Sequence, residues 1–182
     1  PDWIVKMTPE VIRLRKPNMQ ATGENFWYLE LGGNRDSIGD TEEVRDELLA
    51  LAYGMVDYIK NSGEVADGDY WTLDFLGFLP GKRESRRMMG EYVMTQTDVL
   101  SGGDFADTVA FGGWPLDDHH PNGFYHAGNP NIWGQTPAPY GIPYRCLYSR
   151  NIDNLYFAGR DIPQDYPQAL ALYEKAAAKG HP

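Results

Sequence analysis

DTEEVRDELLALAYGMVDYIKNSG, residues 40–63, carries the clearest structural signal in the chain. Its apolar residues recur at the spacing of one helix face: Val44, Leu48, Leu51, Ala52, Met55 and Ile59. Asp40 and Glu43 resemble a capping box at the start of the segment, and Asn61 to Gly63 forms a stop signal. The pattern predicts one long amphipathic helix over residues 41–62.

Outward from this helix, short apolar segments alternate or run as strands do. They are Phe26–Leu31, residues 67–78, Met88–Val99, Thr108–Phe111 and Leu155–Gly159, with a weaker strand at Val11–Leu14. The segments predict a mixed or antiparallel sheet with the long helix on one face. The expected fold class is therefore α+β.

Residues 112–143 form a long stretch rich in Gly, Pro, Asn and His, which predicts a loop. Loops of this length in compact domains more often carry a function than merely connect two elements. We therefore expect the functional site to lie in this Gly/Pro-rich loop.

The composition, with 42 % hydrophobic and 23 % charged residues among 182, is typical of one soluble domain with a sizeable core. A net charge of −10 argues against nucleic acid or an anionic membrane as a partner. The single cysteine, Cys146, excludes an internal disulfide. No segment has the pattern of a membrane span or signal peptide, and the compartment stays open. Because the chain starts with Pro1, we expect a fragment or a processed chain.

Residues 79–93, LPGKRESRRMMGEYV, concentrate four cations in this acidic chain. One interpretation is a solvated loop in which Glu84 and Glu91 pair with the cations. The other follows from the apolar residues after the run, because these would bring Arg86 and Arg87 to the edge of a core. Guanidinium groups in such positions bind carboxylates or phosphates.

Three blocks of sequence together resemble one protein family. They are PGKRESRR at 80–87, GGWPLDDH at 112–119, and IPYR at 142–145 continuing to NLYFAGR at 154–160. In this order they resemble the FAD-dependent oxidoreductases, from about Phe26 to Ile162. The resemblance implies FAD as cofactor and a fragment of the substrate domain, the region that covers the flavin.

The resemblance and the cation run together suggest the residues that would contact the cofactor. These are Arg83, Arg86, Arg87, Gly159, Arg160 and Asp161. Gly159 at the end of a strand would let backbone N–H groups approach a pyrophosphate closely. However, the sequence has no G-x-G-x-x-G turn. We therefore expect the chain alone to bind FAD weakly or not at all.

The resemblance also raises His119 and Asp117 as an acid/base pair, in which an imidazole oriented by a carboxylate takes a proton from a hydroxyl. A hydrogen-bonded loop histidine is the alternative. Together with His120 and Asp118 the pair offers too few suitably placed ligands for a metal ion, because neighbouring residues on a loop rarely point at one ion. No metal site is therefore expected.

Around this pair, Arg145 is a candidate to hold an oxyanion or the flavin edge, and Tyr144 to orient a ring. The aromatic residues Trp114, Trp133, Tyr140 and Tyr144 either belong to the core or stack on a sugar or flavin ring. Trp114, His120 and Trp133 are the expected substrate-binding residues. We expect Trp114, Asp117, His119, Tyr144 and Arg145 to converge on one concave site.

The expected function is part of a FAD-dependent oxidoreductase that takes a hydride from a polar, carbohydrate-like small molecule. A flavin-free carbohydrate-active domain, either a glycoside hydrolase or a sugar-binding module, is the alternative, and a structural piece is a third. Residues 1–162 form the expected substrate-domain region. Residues 163–182 resemble half of a Sel1-type repeat, whose helix must pack on the chain or on a partner. The sequence does not decide whether the chain forms a homo-oligomer.

Overall fold

The computed structural model describes residues 1–18, 26–82, 88–134, 136, 139–159, 162 and 164–165. The chain forms two compact units. Unit 1 comprises Pro1–Ser85 and Asp118–Ile132, and unit 2 comprises Arg86–Asp117 and Trp133–Pro182. A few helices and small two-stranded sheets make up the chain, so the fold is α+β, as predicted.

Unit 1 begins with helix α1, Pro9–Arg15. The Thr8 side chain accepts a hydrogen bond from the Val11 N–H at 3.4 Å, and Pro9 occupies the start of the helix. These start signals outweigh the β-propensity of the following apolar residues. The strand predicted at Val11–Leu14 is therefore wrong.

Helix α2, Thr41–Asn61, confirms the long amphipathic helix and buries its predicted stripe, of which only Leu48 is partly buried. The predicted capping box is not formed, because the Asp40 side chain makes no cap hydrogen bond and instead accepts one from the Asp36 N–H at 3.2 Å. The Thr41 hydroxyl instead donates to the carbonyls of Ser37 and Ile38.

The core of unit 1 consists of Leu51, Met55, Ile59 and Phe124, with Leu29 and Leu31 packed against it. Residues 26–31 and 71–78 contain no strand, and Gly68–Tyr70 is a 3₁₀ turn. The two strands predicted there are wrong. A strand needs backbone hydrogen bonds to a neighbouring strand. The apolar pattern of these segments specifies only that their side chains are buried, and does not specify such a partner.

Unit 2 contains strand β1, Met94–Thr95, and helix α3, Gln96–Leu100. The Thr95 hydroxyl accepts the Asp98 N–H, while the Asp98 carboxylate accepts the Thr95 N–H. This capping box starts a helix inside the segment predicted as a strand from Met88 to Val99, which is wrong in that part.

Strand β2, Thr108–Gly112, confirms the predicted strand at 108–111. The region 112–143 also contains three short strands that the sequence does not predict: β3, Leu116–His119; β4, Asn131–Gly134; and β5, Tyr140–Pro143. A further strand, β6, is Gln164–Asp165.

The strands form two-stranded pairs: antiparallel β2–β5, parallel β1–β6, and β3–β4. The predicted strand at Leu155–Gly159 is wrong, because this segment contributes only an isolated bridge between Tyr148 and Tyr156.

The core of unit 2 is smaller and consists of Met94, Val99 and Cys146. Burial raises the pKa of the Cys146 thiol to about 11, so the thiol stays protonated near neutral pH. None of the helices within the described residues is both long and apolar enough to cross a membrane. Residues 166–182 lie outside the described residues, so the Sel1-like helix and the boundary at 162 stay predictions.

Candidate functional site

His119, the last residue of β3, is hydrogen-bonded to the carboxylate of Glu30 in unit 1. Its Nδ1 lies 2.8 Å from each Glu30 carboxylate oxygen. A carboxylate can only accept, so Nδ1 carries the hydrogen and Nε2 carries the lone pair of the neutral ring. The side chains are 19 % and 27 % exposed, which shields the pair from much of the solvent. The Tyr28 ring lies 5.9 Å from the imidazole, centroid to centroid.

The backbone of Glu30 is held by a neighbouring 3₁₀ turn, Gly123–Tyr125. The Phe124 N–H donates to the Glu30 carbonyl at 2.8 Å. Gly123 has φ of +52°, and a Cβ at this position would collide with the Glu30 carbonyl. Glycine is therefore required both for the left-handed conformation and for the close approach that positions Glu30.

Arg15, at the end of α1, fixes the same turn from its other side. Arg15 is 4 % exposed, and its guanidinium donates to four backbone carbonyls: Gly123, Phe124, His126 and Gly128. Burial lowers the pKa of Arg15, and the nearby Glu30 opposes that shift, but an arginine side chain stays charged. A buried cation thus anchors the turn that hydrogen-bonds to the Glu30 backbone.

His120 stacks on His126, with ring centroids 3.5 Å apart and planes inclined by 10°. The His120 Nδ1 accepts the Asn122 N–H at 3.1 Å, so this nitrogen is unprotonated. Burial lowers the pKa of His126, and His120 and Arg15 lower it further. His120, predicted to bind substrate, therefore lies beside a second imidazole that favours the neutral form.

Arg145 lies in unit 2 and forms a bidentate interaction with the carboxylate of Asp107. Its Nε and one Nη donate to Asp107 at 2.9 and 3.2 Å, and the guanidinium carbon lies 5.0 Å from the centre of the Tyr92 ring. The hydrogen bond from Arg145 lowers the pKa of Asp107. An anionic substrate would have to compete with Asp107 for this guanidinium.

Tyr144 lies next to Arg145, and its hydroxyl is 3.3 Å from that of Tyr156. Trp114 and Trp133 also lie in unit 2, where 73 % and 48 % of their surfaces are exposed. The predicted site residues are thus divided between the units: His119 and His120 in unit 1, and Trp114, Asp117, Trp133, Tyr144 and Arg145 in unit 2. Their convergence on one concave site stays a prediction, as does the pairing of Asp117 with His119.

Three residues that shape these surroundings are not among those predicted from sequence: Arg15, Glu30 and Asp107. Glu30 did offer a signal, because it is a lone carboxylate within the apolar segment Phe26–Leu31. Such a carboxylate needs a partner when it is partly buried. No comparable signal marks Arg15 or Asp107, since each lies next to other polar residues.

Most residues suggested to contact FAD, namely Arg83, Arg86, Arg87, Arg160 and Asp161, lie outside the described residues. Gly159 is described and has φ of +59°, a conformation suited to close backbone approach. An open concavity of about 490 Å³ in unit 2 is lined by Tyr144, Tyr148, Tyr156 and Asp153, among others. Its aromatic faces suit a ring, but Asp153 would repel a diphosphate. The described residues by themselves therefore do not fit the whole of FAD.

In the part of the chain that the structure describes, no cluster of three or more His, Cys, Asp or Glu side chains is placed to hold a metal ion.

A family model described as FAD dependent oxidoreductase matches residues 6–166, which is most of the chain. The matched range includes all three sequence blocks as well as Glu30 and His119. No curated protein and no solved structure matches the chain.

Proposed function

The chain belongs to the FAD dependent oxidoreductase family, and we propose that it supplies the substrate side of such an enzyme. FAD is the family's cofactor, and the partner of the reaction is a small molecule. The proposed substrate is a polar, carbohydrate-like alcohol that is oxidised to a carbonyl compound. The family match supports an FAD-dependent oxidoreductase over a flavin-free glycoside hydrolase or sugar-binding module.

The observation that carries the proposal is the hydrogen bond between His119 and Glu30. Glu30 fixes the tautomer with hydrogen on Nδ1 and stabilises the imidazolium that forms when Nε2 accepts a proton. Arg15 and Gly123 hold the turn whose backbone N–H binds the Glu30 carbonyl. The pair is thus oriented before a substrate arrives, which lowers the cost of proton transfer.

In the proposed reaction the substrate C–H bond breaks and its electron pair leaves with the hydrogen as hydride. FAD, when bound to the enzyme that contains this chain, would supply the acceptor for that hydride. The substrate O–H bond breaks at the same carbon, its electron pair forms the C=O bond, and its proton moves to Nε2 of His119. This chain's own contribution is to take that proton and to hold it beside the Glu30 carboxylate.

His119→Gln tests the proposal in the flavin-loaded enzyme that contains this chain. We expect anaerobic reduction of the flavin by a panel of sugars and polyols to slow by about 10²–10⁴, the usual contribution of a general base. Glu30→Gln should produce a smaller loss, because the ring keeps a hydrogen-bond acceptor but loses the charge. Tyr70→Ala, at an exposed position of the same unit, is the control and should react at the wild-type rate. Equal rates for His119→Gln and wild type would refute the proposal.

A second prediction concerns the cofactor itself. Because the described residues do not fit the diphosphate and the sequence has no G-x-G-x-x-G turn, the chain alone should retain little or no FAD. The measurement is the flavin absorbance of the purified chain after gel filtration with added FAD. Stoichiometric flavin in the protein peak would contradict it and would place the diphosphate site within this chain.

A further inference from the structure

Three tyrosines meet on one face of a short hairpin in unit 2. The hairpin is held by backbone hydrogen bonds from Phe157 N–H to Leu147 O at 2.8 Å and from Ser149 N–H to Leu155 O at 2.9 Å. Tyr148 and Tyr156 are directly opposite each other in an antiparallel bridge, which places their side chains on the same face.

Tyr144 completes this group from the adjoining 3₁₀ turn, Tyr144–Cys146. Its ring centroid lies 5.2 Å from that of Tyr148, with the planes inclined by 50°, and its hydroxyl lies 3.3 Å from that of Tyr156. The hydrogen bond with Tyr156 raises the pKa of Tyr144, so its phenol stays neutral at physiological pH. Even so, Tyr144 is 43 % exposed and Tyr156 is 63 % exposed. Aromatic surface is thus presented to solvent where burial would stabilise the fold.

The turn of the hairpin sets polar groups beside these rings. The Ser149 hydroxyl accepts the backbone N–H groups of Asn151 and Ile152, which fixes the start of the turn. Asn154 has φ of +64°, a left-handed conformation that asparagine tolerates. Within the part of the chain that the structure describes, the side chains of Asp153 and Asn154 make no hydrogen bond. A carboxylate acceptor and an amide that both donates and accepts are therefore available at the rim.

From this arrangement we infer that the concavity lined by Tyr144, Tyr148, Tyr156, Asp153 and Asn154 is a binding subsite for a neutral sugar ring. Its volume of about 490 Å³ lies within the range of roughly 300–1,000 Å³ found for small-molecule sites. The apolar C–H face of a pyranose stacks on a tyrosine ring, and adjacent hydroxyls pair with a carboxylate and an amide.

Charge and hydrogen-bonding capacity favour a neutral sugar ring over two other classes of ligand, anions and quaternary ammonium ions. Asp153 disfavours phosphates and carboxylates, which would bring a second negative charge next to it. A quaternary ammonium ion would suit the tyrosines and Asp153, but its cationic group has no hydrogen-bonding atoms for the Asn154 amide. A polyhydroxylated ring uses the rings, the carboxylate and the amide together. The inference stands apart from the proposed oxidoreductase function, because it needs neither FAD nor turnover.

The test is direct binding of methyl glycosides to the full chain without added FAD. Saturation-transfer NMR and calorimetry with methyl β-D-glucopyranoside, methyl β-D-galactopyranoside and methyl α-D-mannopyranoside should show binding of at least one, with a Kd of about 1–10 mM. Tyr156→Ala should weaken that binding about tenfold or more, Asp153→Asn about fivefold, and Tyr156→Phe, which keeps the ring, about threefold or less. Tyr70→Ala removes a tyrosine that is 88 % exposed in unit 1 and should leave the Kd unchanged.

The same experiment can overturn the inference in three ways. The first is that none of the three glycosides binds at about 50 mM. The second is that binding persists in both Tyr156→Ala and Asp153→Asn. The third is that choline or glucose 6-phosphate binds more tightly than the glycosides and depends on Tyr156. Circular dichroism checks the fold of each variant. If Tyr156→Ala is unfolded, the Kd of the Asp153→Asn variant, changed at an exposed position, tests the inference instead. Each of these outcomes leaves the test of His119 unaffected.

Discussion

The two units place functional groups on different kinds of support. In unit 1 the pair of His119 and Glu30 rests on a turn that a buried arginine fixes through backbone carbonyls, next to a core built on α2. In unit 2 the core is smaller, and the exposed tyrosines lie on a hairpin whose hydrogen bonds join residues close in sequence.

This difference matches the demands of two kinds of chemistry. Proton transfer needs groups held at fixed distances, and contacts between distant segments provide that constraint. Recognition of a sugar ring needs accessible aromatic surface, which a local hairpin can present without a large core around it. The comparison predicts that substitutions of Arg15 or of the core residues of unit 1 will lower the free energy of unfolding more than substitutions in unit 2.

Arg15→Met should give the largest loss of stability. The substitution keeps an apolar stem but removes the donors that satisfy four buried or partly buried carbonyls. Leaving such groups without partners costs about 1–3 kcal/mol each and not additively, so we expect about 3–5 kcal/mol from equilibrium unfolding. Arg13→Met, at an exposed position of the same helix, is the control and should change stability by less than about 0.5 kcal/mol. Equal losses in the two variants would mean that Arg15 does not anchor the turn.

Truncations in the two cores compare the units directly. Leu51 is fully buried in unit 1, and Leu51→Ala should cost about 2–5 kcal/mol in equilibrium unfolding. Val99 belongs to the core of unit 2. Val99→Ala removes two carbon atoms, one fewer than Leu51→Ala, and should cost about 1–2 kcal/mol. A larger loss for Val99→Ala than for Leu51→Ala would reverse the comparison.

The same division explains what the sequence could predict. Helix α2 is predicted correctly because its periodic stripe is local and long enough to be unambiguous. Strand β2 is predicted from its apolar residues, whereas β3 is not, because Leu-Asp-Asp-His at 116–119 has no strand pattern. Thr8 with Pro9, and Thr95 with Asp98, are local start signals that were present in the sequence and outweigh the β-propensity of their neighbours.

The candidate site shows the limit of local signals most clearly. His119 and a carboxylate partner could be predicted from the chemistry, but Glu30 is 89 residues away in sequence. Nothing within β3 indicates which distant carboxylate reaches its last residue. The contacts of Arg15 with the turn at 123–128 are likewise formed only once the fold brings the segments together. Neither pairing can be inferred from spacing.

Asp107→Asn should give the smallest effect, and one confined largely to acid. The hydrogen bond from Arg145 lowers the pKa of Asp107 in the folded protein, so the unfolded chain takes up this proton at a higher pH than the folded chain. The stability that Asp107 contributes is therefore fully present above the ordinary aspartate pKa of about 3.9. It is lost as the pH falls through the lowered folded value.

The measurement is thermal unfolding of wild type and Asp107→Asn at neutral pH and at about pH 3. Asparagine does not titrate, so the variant should be slightly less stable at neutral pH and should lose less on acidification. Glu10 and Asp57, whose pKa values are also lowered, contribute acid sensitivity in both proteins, and the difference between the curves isolates Asp107. Asp104→Asn removes an exposed carboxylate of the same unit and is the control for the loss of one negative charge. Parallel curves for wild type and Asp107→Asn would mean that the hydrogen bonds between Arg145 and Asp107 add no stability.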